Sequence, residues 1–439
     1  MDESRPLLEG VQRTSLPWLQ VAILLVVRLA DPLSFTVLFP FVYFMVRDFQ
    51  VAKNEAHIGF YVGIIASSFA TAQMLSGIPW GMISDRVGRR PVILVGLFGT
   101  SISLLMFGLS TSLPWAIATR CMCGLLSGNV GVIKSAMAEL TNASNRAQAF
   151  SLLPLAGGFG AILGPILGGF FSDPVTKYPF LDGQGFVGKL LLRFPYLLPC
   201  AICSLVIGLA AVSGIFFFKE THVFADENKQ HVRNDAIPHQ CKMAIVCFTA
   251  QSFQKVIHNE LFPMWAATSV AKGGLGFSAS EIGAIMSFCG ISLLVIQPIM
   301  YKPLNSYMGT LLLYQSCFLI SIAVILLFPA TALLASSSWS YLLWPSLLAL
   351  AAIRTAYSVF SATSINLFLA DICPHHTLGK VNGVSQATTS FARAIGPVLC
   401  GAIYSHSLES SSLLGAPLMW FLLAVVAFVN YCLSLILTH

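Results

Sequence analysis

Charge is what this chain has least of. Only 10% of its 439 residues are Asp, Glu, Lys or Arg, against about 25% in soluble domains. So few charges cannot cover a water-facing surface of this size, and 56% hydrophobic residues say that the solvent is lipid. A secretion signal is missing as well: Met1 to Pro17 is polar, and the apolar run behind it is too long for a cleaved segment. No GxxxxGKS/T loop suggests ATP, and no HExxH or other dense catalytic constellation suggests an enzyme. The net charge of +6 comes from basic residues scattered over short loops, which argues against a nucleic-acid partner. The eleven cysteines make no disulfide framework, because most sit inside apolar runs. Cys200 and Cys203, like Cys121 and Cys123, read as small core residues. Loop histidines (His222, His231, His239, His375 and His376) have no tight metal spacing, so neither a metal nor a cofactor is expected.

What the chain has is long apolar segments. About 20 apolar residues cross about 30 Å of hydrocarbon as a helix. Twelve such spans are expected, near 17–45, 58–82, 91–111, 114–139, 147–172, 195–218, 243–267, 281–301, 309–330, 341–370, 383–405 and 416–437. The predicted fold is therefore an all-α membrane protein: a tail over 1–16, a six-helix bundle over 17–218, a polar linker over 219–242, and a second six-helix bundle over 243–439. Alternate connections carry twelve Lys and Arg on the side of both termini and six on the other, which puts both termini in the cytoplasm.

The halves read as copies. Gly164-Pro165-Ile166-Leu167-Gly168-Gly169 of the fifth span matches Gly396-Pro397-Val398-Leu399-Cys400-Gly401 of the eleventh, and Glu139 matches Asp371. Phe39-Pro40 meets Phe262-Pro263, and Ile58-Gly59 meets Ile282-Gly283. Six plus six spans in repeat is how many secondary transporters are built, with the substrate between the halves near the midplane.

The connection after the second span reads Trp80-Gly81-Met82-Ile83-Ser84-Asp85-Arg86-Val87-Gly88-Arg89-Arg90. Eight connecting residues imply a tight turn, with Gly81 and Gly88 permitting close approach and unusual backbone angles. This segment resembles the signature of the major facilitator superfamily, and Arg120-Cys121-Met122-Cys123-Gly124 resembles its second motif. Gly160, Gly164, Pro165, Gly168 and Gly169 resemble the antiporter motif of the twelve-span drug:proton antiporters. Trp80-Gly81, Ser151 and the run Gly273 to Ser278, followed by Ile282-Gly283 and Gln297, are similar to the zinc-induced-facilitator-like branch. That branch's CPGC element is absent, so its zinc-linked physiology is not carried over. The resemblance implies a cytoplasmic gate in which Asp85 docks on the start of the eleventh span and Arg89 or Arg86 reaches Glu139, with Arg90 beside them. It also implies an antiporter-motif helix that bends at its Gly-Pro run. Small residues four apart are equally a packing device, and the two readings are compatible. Ser306 stands where the repeat places Asp85, so the gate is expected to be asymmetric.

Charges inside spans are costly, at least about 2.5–3.5 kcal/mol each. Arg28 and Asp31 share one face of the first span. At 1.5 Å per residue Asp31 and Arg120 fall at similar depth, so a pair between them is geometrically possible. Asp31 then either exchanges protons as Arg120 moves, or is held permanently by Arg120 or Arg28. In the seventh span Gln251, Gln254, Lys255 and His258 form a polar stripe that should face a cavity, with His258 and Glu260 as further proton-site candidates. Asn129, Arg354, Asn366 and Arg393 are expected to line the same cavity, while Lys134 either joins them or reaches for the surface.

The expected function is secondary transport, with a proton-coupled antiporter exporting a small organic compound as the first reading. A proton symporter or facilitator is the alternative, and a non-transporting sensor or membrane enzyme stands further off. The expected partners are the substrate, protons and the bilayer, and a monomer suffices. Glu3 to Leu8 resembles an acidic dileucine signal, leaving a vacuolar or endosomal membrane open beside the plasma membrane.

Overall fold

The computed structural model describes residues 15–142, 145–178, 185–221, 238–335, 337, 339–373, 378–409 and 417–437, and among these every regular element is helical. Lipid leaves a backbone no other way to satisfy its polar groups within one segment. The helices of the first half are α1 (Trp18–Thr36), α2 (Val42–Asp48), α3 (Ile58–Val87), α4 (Arg89–Gly108), α5 (Leu113–Leu126), α6 (Asn129–Leu140), α7 (Arg146–Phe171), α8 (Pro174–Lys177), α9 (Phe186–Arg193) and α10 (Leu197–Phe217). Those of the second are α11 (His239–Ala267), α12 (Ala279–Met308), α13 (Thr310–Ala335), α14 (Leu343–Ile372), α15 (Leu378–Glu409) and α16 (Pro417–Leu435).

Ten segments among the described residues are long and apolar enough to cross a bilayer, with α5 and α6 together forming one of them. The remaining two of the twelve, α11 and α15, match them in length but are too polar to qualify alone. Both are packed against protein: α11 touches α14, α15 and α16. Two six-helix bundles result, and they meet chiefly along α3 with α15 and α7 with α12.

Three expected details change. The first span ends at Thr36, and the chain turns through Phe39-Pro40 before α2. The fourth breaks at Ser127-Gly128, where the Trp80 ring sits so close that a Cβ on Gly128 would collide with it. The indole N–H of Trp80 donates to the carbonyl of Leu125 at 2.6 Å, using an acceptor that the break frees. The eight-residue connection shrinks to one residue: α3 runs on to Val87, leaving Gly81 mid-helix with open space around it. Gly88 makes the turn at φ +106°, and Gly309 repeats it between α12 and α13 at φ +78°. Only glycine takes such angles readily.

The cysteines largely follow expectation, as six of the nine free ones are buried inside the helices, but one pair does not. Cys241, at the start of α11, and Cys373, just past α14, come into bonding contact with Cα atoms 6.0 Å apart. Their separation of 132 residues hid that proximity.

Candidate functional site

The repeated motifs find each other across the two halves. A Cβ placed on Gly169 of α7 would come within 2.7 Å of the Gly283 Cα on α12. On the other side of the molecule Gly401 of α15 packs on Gly59 of α3, and Gly63 packs on the carbonyl of Pro397. Hydrogen bonds reinforce both seams: Ser280 Oγ donates to Gly169 O at 3.1 Å, Phe60 N–H to Ser405 Oγ at 2.9 Å, and Val398 N–H to Ser67 Oγ at 3.1 Å. Side chains missed by the sequence reading complete the closure. Glu55 accepts from the Ser269 N–H at 3.0 Å and its hydroxyl at 3.1 Å, and lies 3.1 Å from Lys272 Nζ. His57 Nε2 lies 3.0 Å from Glu409 Oε1. All of these contacts sit at the end of the molecule away from the described chain ends.

Toward the other end the close approach ends: nothing lies within 4 Å of a Cβ built on Gly77 of α3 or Gly383 of α15. The expected gate residues therefore connect differently. Asp85 does not dock on α15; its carboxylate accepts from Arg89 Nη1 at 2.6 Å and remains largely exposed. Arg89 does reach Glu139, with two bonds at 2.9 and 3.0 Å, and also donates to Ser84 Oγ at 2.6 Å. This network lies within the first half, so it is a staple between α4 and α6 and not a bridge between halves. Glu220, another residue missed, accepts from the N–H groups of Arg89 and Arg90 at 2.8 and 3.0 Å. It caps α4, where a carboxylate offsets the helix dipole. The Arg90 guanidinium bonds the carbonyl of Ile215, Arg86 is exposed, and so is Asp371, the repeat partner of Glu139.

The antiporter-motif glycines have two faces. Gly160, Gly164 and Gly168 lie against the backbone of α1 and the turn after it, too close for any Cβ, whereas Pro165 and Gly169 face α12. Helices this close exclude side chains and water from the seam.

Between the halves lies a cavity of about 190 Å³. Its polar wall is Lys255, His258 and Asn259 of α11 with Arg354 of α14, and its apolar wall includes Phe39, Pro165, Phe262, Met286 and Phe328. A space of about 20 Å³ adjoins it, lined by Gln251, Gln254, Lys255 and His258. The polar stripe of α11 thus faces a cavity as its periodicity required. Gln251 donates to Ser361 Oγ at 2.7 Å, and Gln254 accepts from Asn430 at 2.7 Å. His258 is buried edge-on to Phe328 and Trp420 with Nδ1 unpartnered. Arg354 bonds the side-chain oxygen of Asn259. Four expected lining residues, Arg28, Arg393, Asn129 and Asn366, line neither space. Asn129 is buried against Gly96 and donates to Ile93 O at 3.3 Å, and Asn366 bonds back to Ala362 O at 2.6 Å, so both amides satisfy a local backbone carbonyl instead of a cavity.

The Asp31–Arg120 pair is not made. Asp31 Oδ1 accepts from Gln73 Nε2 at 2.8 Å, and Oδ2 lies 3.8 Å from Arg28 Nη1. Arg120 is fully buried between the rings of Phe69 and Phe107, at 4.5 and 5.5 Å, and donates to Ser34 O at 3.1 Å. Gln73 thus takes the place of Arg120 at Asp31, while the rings hold the Arg120 guanidinium by cation–π contact and leave its Nε and Nη2 without hydrogen-bond partners. Arg393 of α15 lies over the ring of Phe35 at 4.9 Å and within Coulombic reach of Asp31, Arg28 and Glu260. Glu260 is buried and feels the charges of Arg120 and Arg393. Asp31 and Glu260, one from each half, therefore share the electrostatic field of Arg120 and Arg393.

The sequence profile of the Major Facilitator Superfamily matches residues 24–328. A probable peptide/nitrate transporter of Arabidopsis thaliana is 31% identical over 90% of this chain and 85% of its own length. The protein Zinc Induced Facilitator-Like 1 of the same plant is 28% identical over 96% and 92%. Among solved structures, a bacterial homolog of the human lysosomal transporter Spinster, inward-facing and occupied, superposes with a TM-score of 0.71 at 14% identity, covering 95% of this chain and 96% of that one. With the two six-helix bundles and their paired repeats already in view, the chain belongs to the Major Facilitator Superfamily and is a secondary transporter.

Proposed function

We propose that this transporter is a proton-coupled antiporter that exports a small organic compound from the cytosol by alternating access. The observation that carries the reading is the pair of membrane-embedded carboxylates, Asp31 and Glu260, set among Arg28, Arg120 and Arg393 at the junction of the halves. Protonating either acid releases an arginine from its field, and an arginine so released is free to rearrange or to hold cargo. Residues 17–218 and 243–439 are the two rocking bodies, joined by the linker at 219–242, whose Glu220 and Thr221 stay docked on the first. Closure along the glycine seams and separation at the opposite end support an inward-open state, with both termini in the cytoplasm. The acidic dileucine run lies outside the described residues, so the membrane, plasma or vacuolar and endosomal, follows from the sequence alone.

The test is proton flux in proteoliposomes containing the purified chain, with Asp31→Asn and Glu260→Gln as variants. Substrate-driven proton movement opposite to substrate, lost in at least one variant, is the expected result. Movement in the same direction as substrate would make the protein a symporter. Gradient-driven transport unchanged in both variants would remove these carboxylates from the mechanism.

A further inference from the structure

We propose that the central cavity takes organic anions: a carboxylate-, sulfonate- or phosphate-bearing group on an apolar body of one ring. This rests on the transporter reading above and specifies its cargo. Five cations (Arg28, Arg120, Lys255, Arg354 and Arg393) lie deep within the spans, against two carboxylates, Asp31 and Glu260. Three positive charges are left without a counter-ion in the region where charge is hardest to solvate.

The local chemistry sharpens the imbalance. Asp31 is already shared by Gln73 and Arg28. Glu260 lies toward Arg120 and Arg393, away from the cavity wall. The wall itself is cationic: Lys255 reaches the cavity surface within the field of both Arg354 and Arg393. No hydrogen bond or ion pair to Lys255 is formed by the described residues, and Arg354 has only the neutral amide oxygen of Asn259. His258, with Nδ1 buried and unpartnered, adds a further polar atom to the same wall. An oxyanion at this wall would receive charge-assisted hydrogen bonds from donors that now lack an anionic acceptor. An organic cation there would meet the like charges of Lys255 and Arg354.

The opposite wall sets the rest of the molecule. Phe39, Phe262, Met286 and Phe328 offer apolar and aromatic contact, and the cavity measures about 190 Å³. A cavity of about 150 Å³ accepts benzene, so a ring with its acid group fits and a large macrocycle does not. Exchange of a monoanion outward for a proton inward also moves two charges in the same electrical sense. Transport would therefore be driven by membrane potential as well as by the pH gradient.

The test compares three single-ring probes in binding to the purified full chain: benzenesulfonate, neutral benzyl alcohol and cationic benzyltrimethylammonium. The anion is expected to bind at least about tenfold more tightly than either analogue. Lys255→Gln and Arg354→Gln should each remove about tenfold or more of that preference, while Lys255→Arg retains it, with monodisperse elution as the check of folding. Equal or tighter binding of the cation, no binding of the anion, or a preference untouched in both Gln variants overturns the proposal. The same probes are then added to proteoliposomes while internal pH is followed. Proton movement driven by the cation but not the anion would sink the anion assignment and leave the antiporter standing. Anion binding without proton movement would do the reverse.

Discussion

Gly169 and Gly283 meet across the two halves as Gly401 and Gly59 do on the opposite side, and each member of one pair is the repeat equivalent of a member of the other. The closed end is thus one interface used twice. Gly283→Val should prevent that closure, since even a Cβ would lie 2.8 Å from the Gly169 Cα. Transport is expected to fall at least about tenfold while thermal stability changes little. Full transport by Gly283→Val or Gly59→Val would mean that this seam does not need to close.

Glu55 links the first half to Ser269 and Lys272 of the second. Its ion pair is half-exposed and weak, and the two hydrogen bonds carry most of the effect, so about 1–2 kcal/mol in total is at stake. Glu55→Gln should raise the fraction open at that end about 5- to 30-fold. Alkylation of a cysteine introduced at Ile285 by an impermeant reagent reads this out, and an unchanged rate would argue against the latch.

Arg89 differs in kind, because its bonds all stay inside one bundle. Removing it takes away charge-assisted bonds to Glu139, Ser84 and Asp85 and empties a buried site, so Arg89→Ala is expected to cost about 1.5–3 kcal/mol. Asp85→Asn, at an exposed carboxylate, should cost under about 1 kcal/mol. Thermal unfolding of both variants decides: equal losses would show that Asp85 carries as much as Glu139.

Lys177 donates to Gly169 O at 2.8 Å and Ser172 Oγ at 3.0 Å, over the end of α7. Burial lowers its ammonium to about 8, only partly offset by Asp173. Because the shift is downward, the lysine is charged below about pH 8 and neutral above it, where ordinary lysines stay charged to about 10.4. NMR of reductively methylated lysines should show one resonance with a midpoint near pH 8, absent in Lys177→Arg. A midpoint near 10 for every lysine would contradict the burial argument.

Much of this architecture was readable from residue order. Apolar runs gave the spans, since lipid admits little else, and the Gly-Pro repeats pointed to two copies before any contact was known. Arg89 with Glu139 was reachable through the family signature. What escaped was pairing over distance: Glu55 with Ser269 and His57 with Glu409 sit in short polar connections that read only as topology charges. Gln73, a neutral residue in an apolar run, gave no sign of being the partner of Asp31. The breaks at Phe39-Pro40 and Ser127-Gly128 depend on neighbours such as Trp80, which no local pattern discloses.

The polarity of α11 and α15 has a consequence for how the chain is made. Neither helix partitions into hydrocarbon by its own composition, so the insertion machinery has no sufficient reason to release either one singly. Their entry must wait on neighbours that shelter the arginine, glutamines and lysines they carry. Biogenesis of the second half is then an all-or-none assembly, and a lesion in α14 or α16 should leave α11 stranded outside the bilayer for quality control to remove.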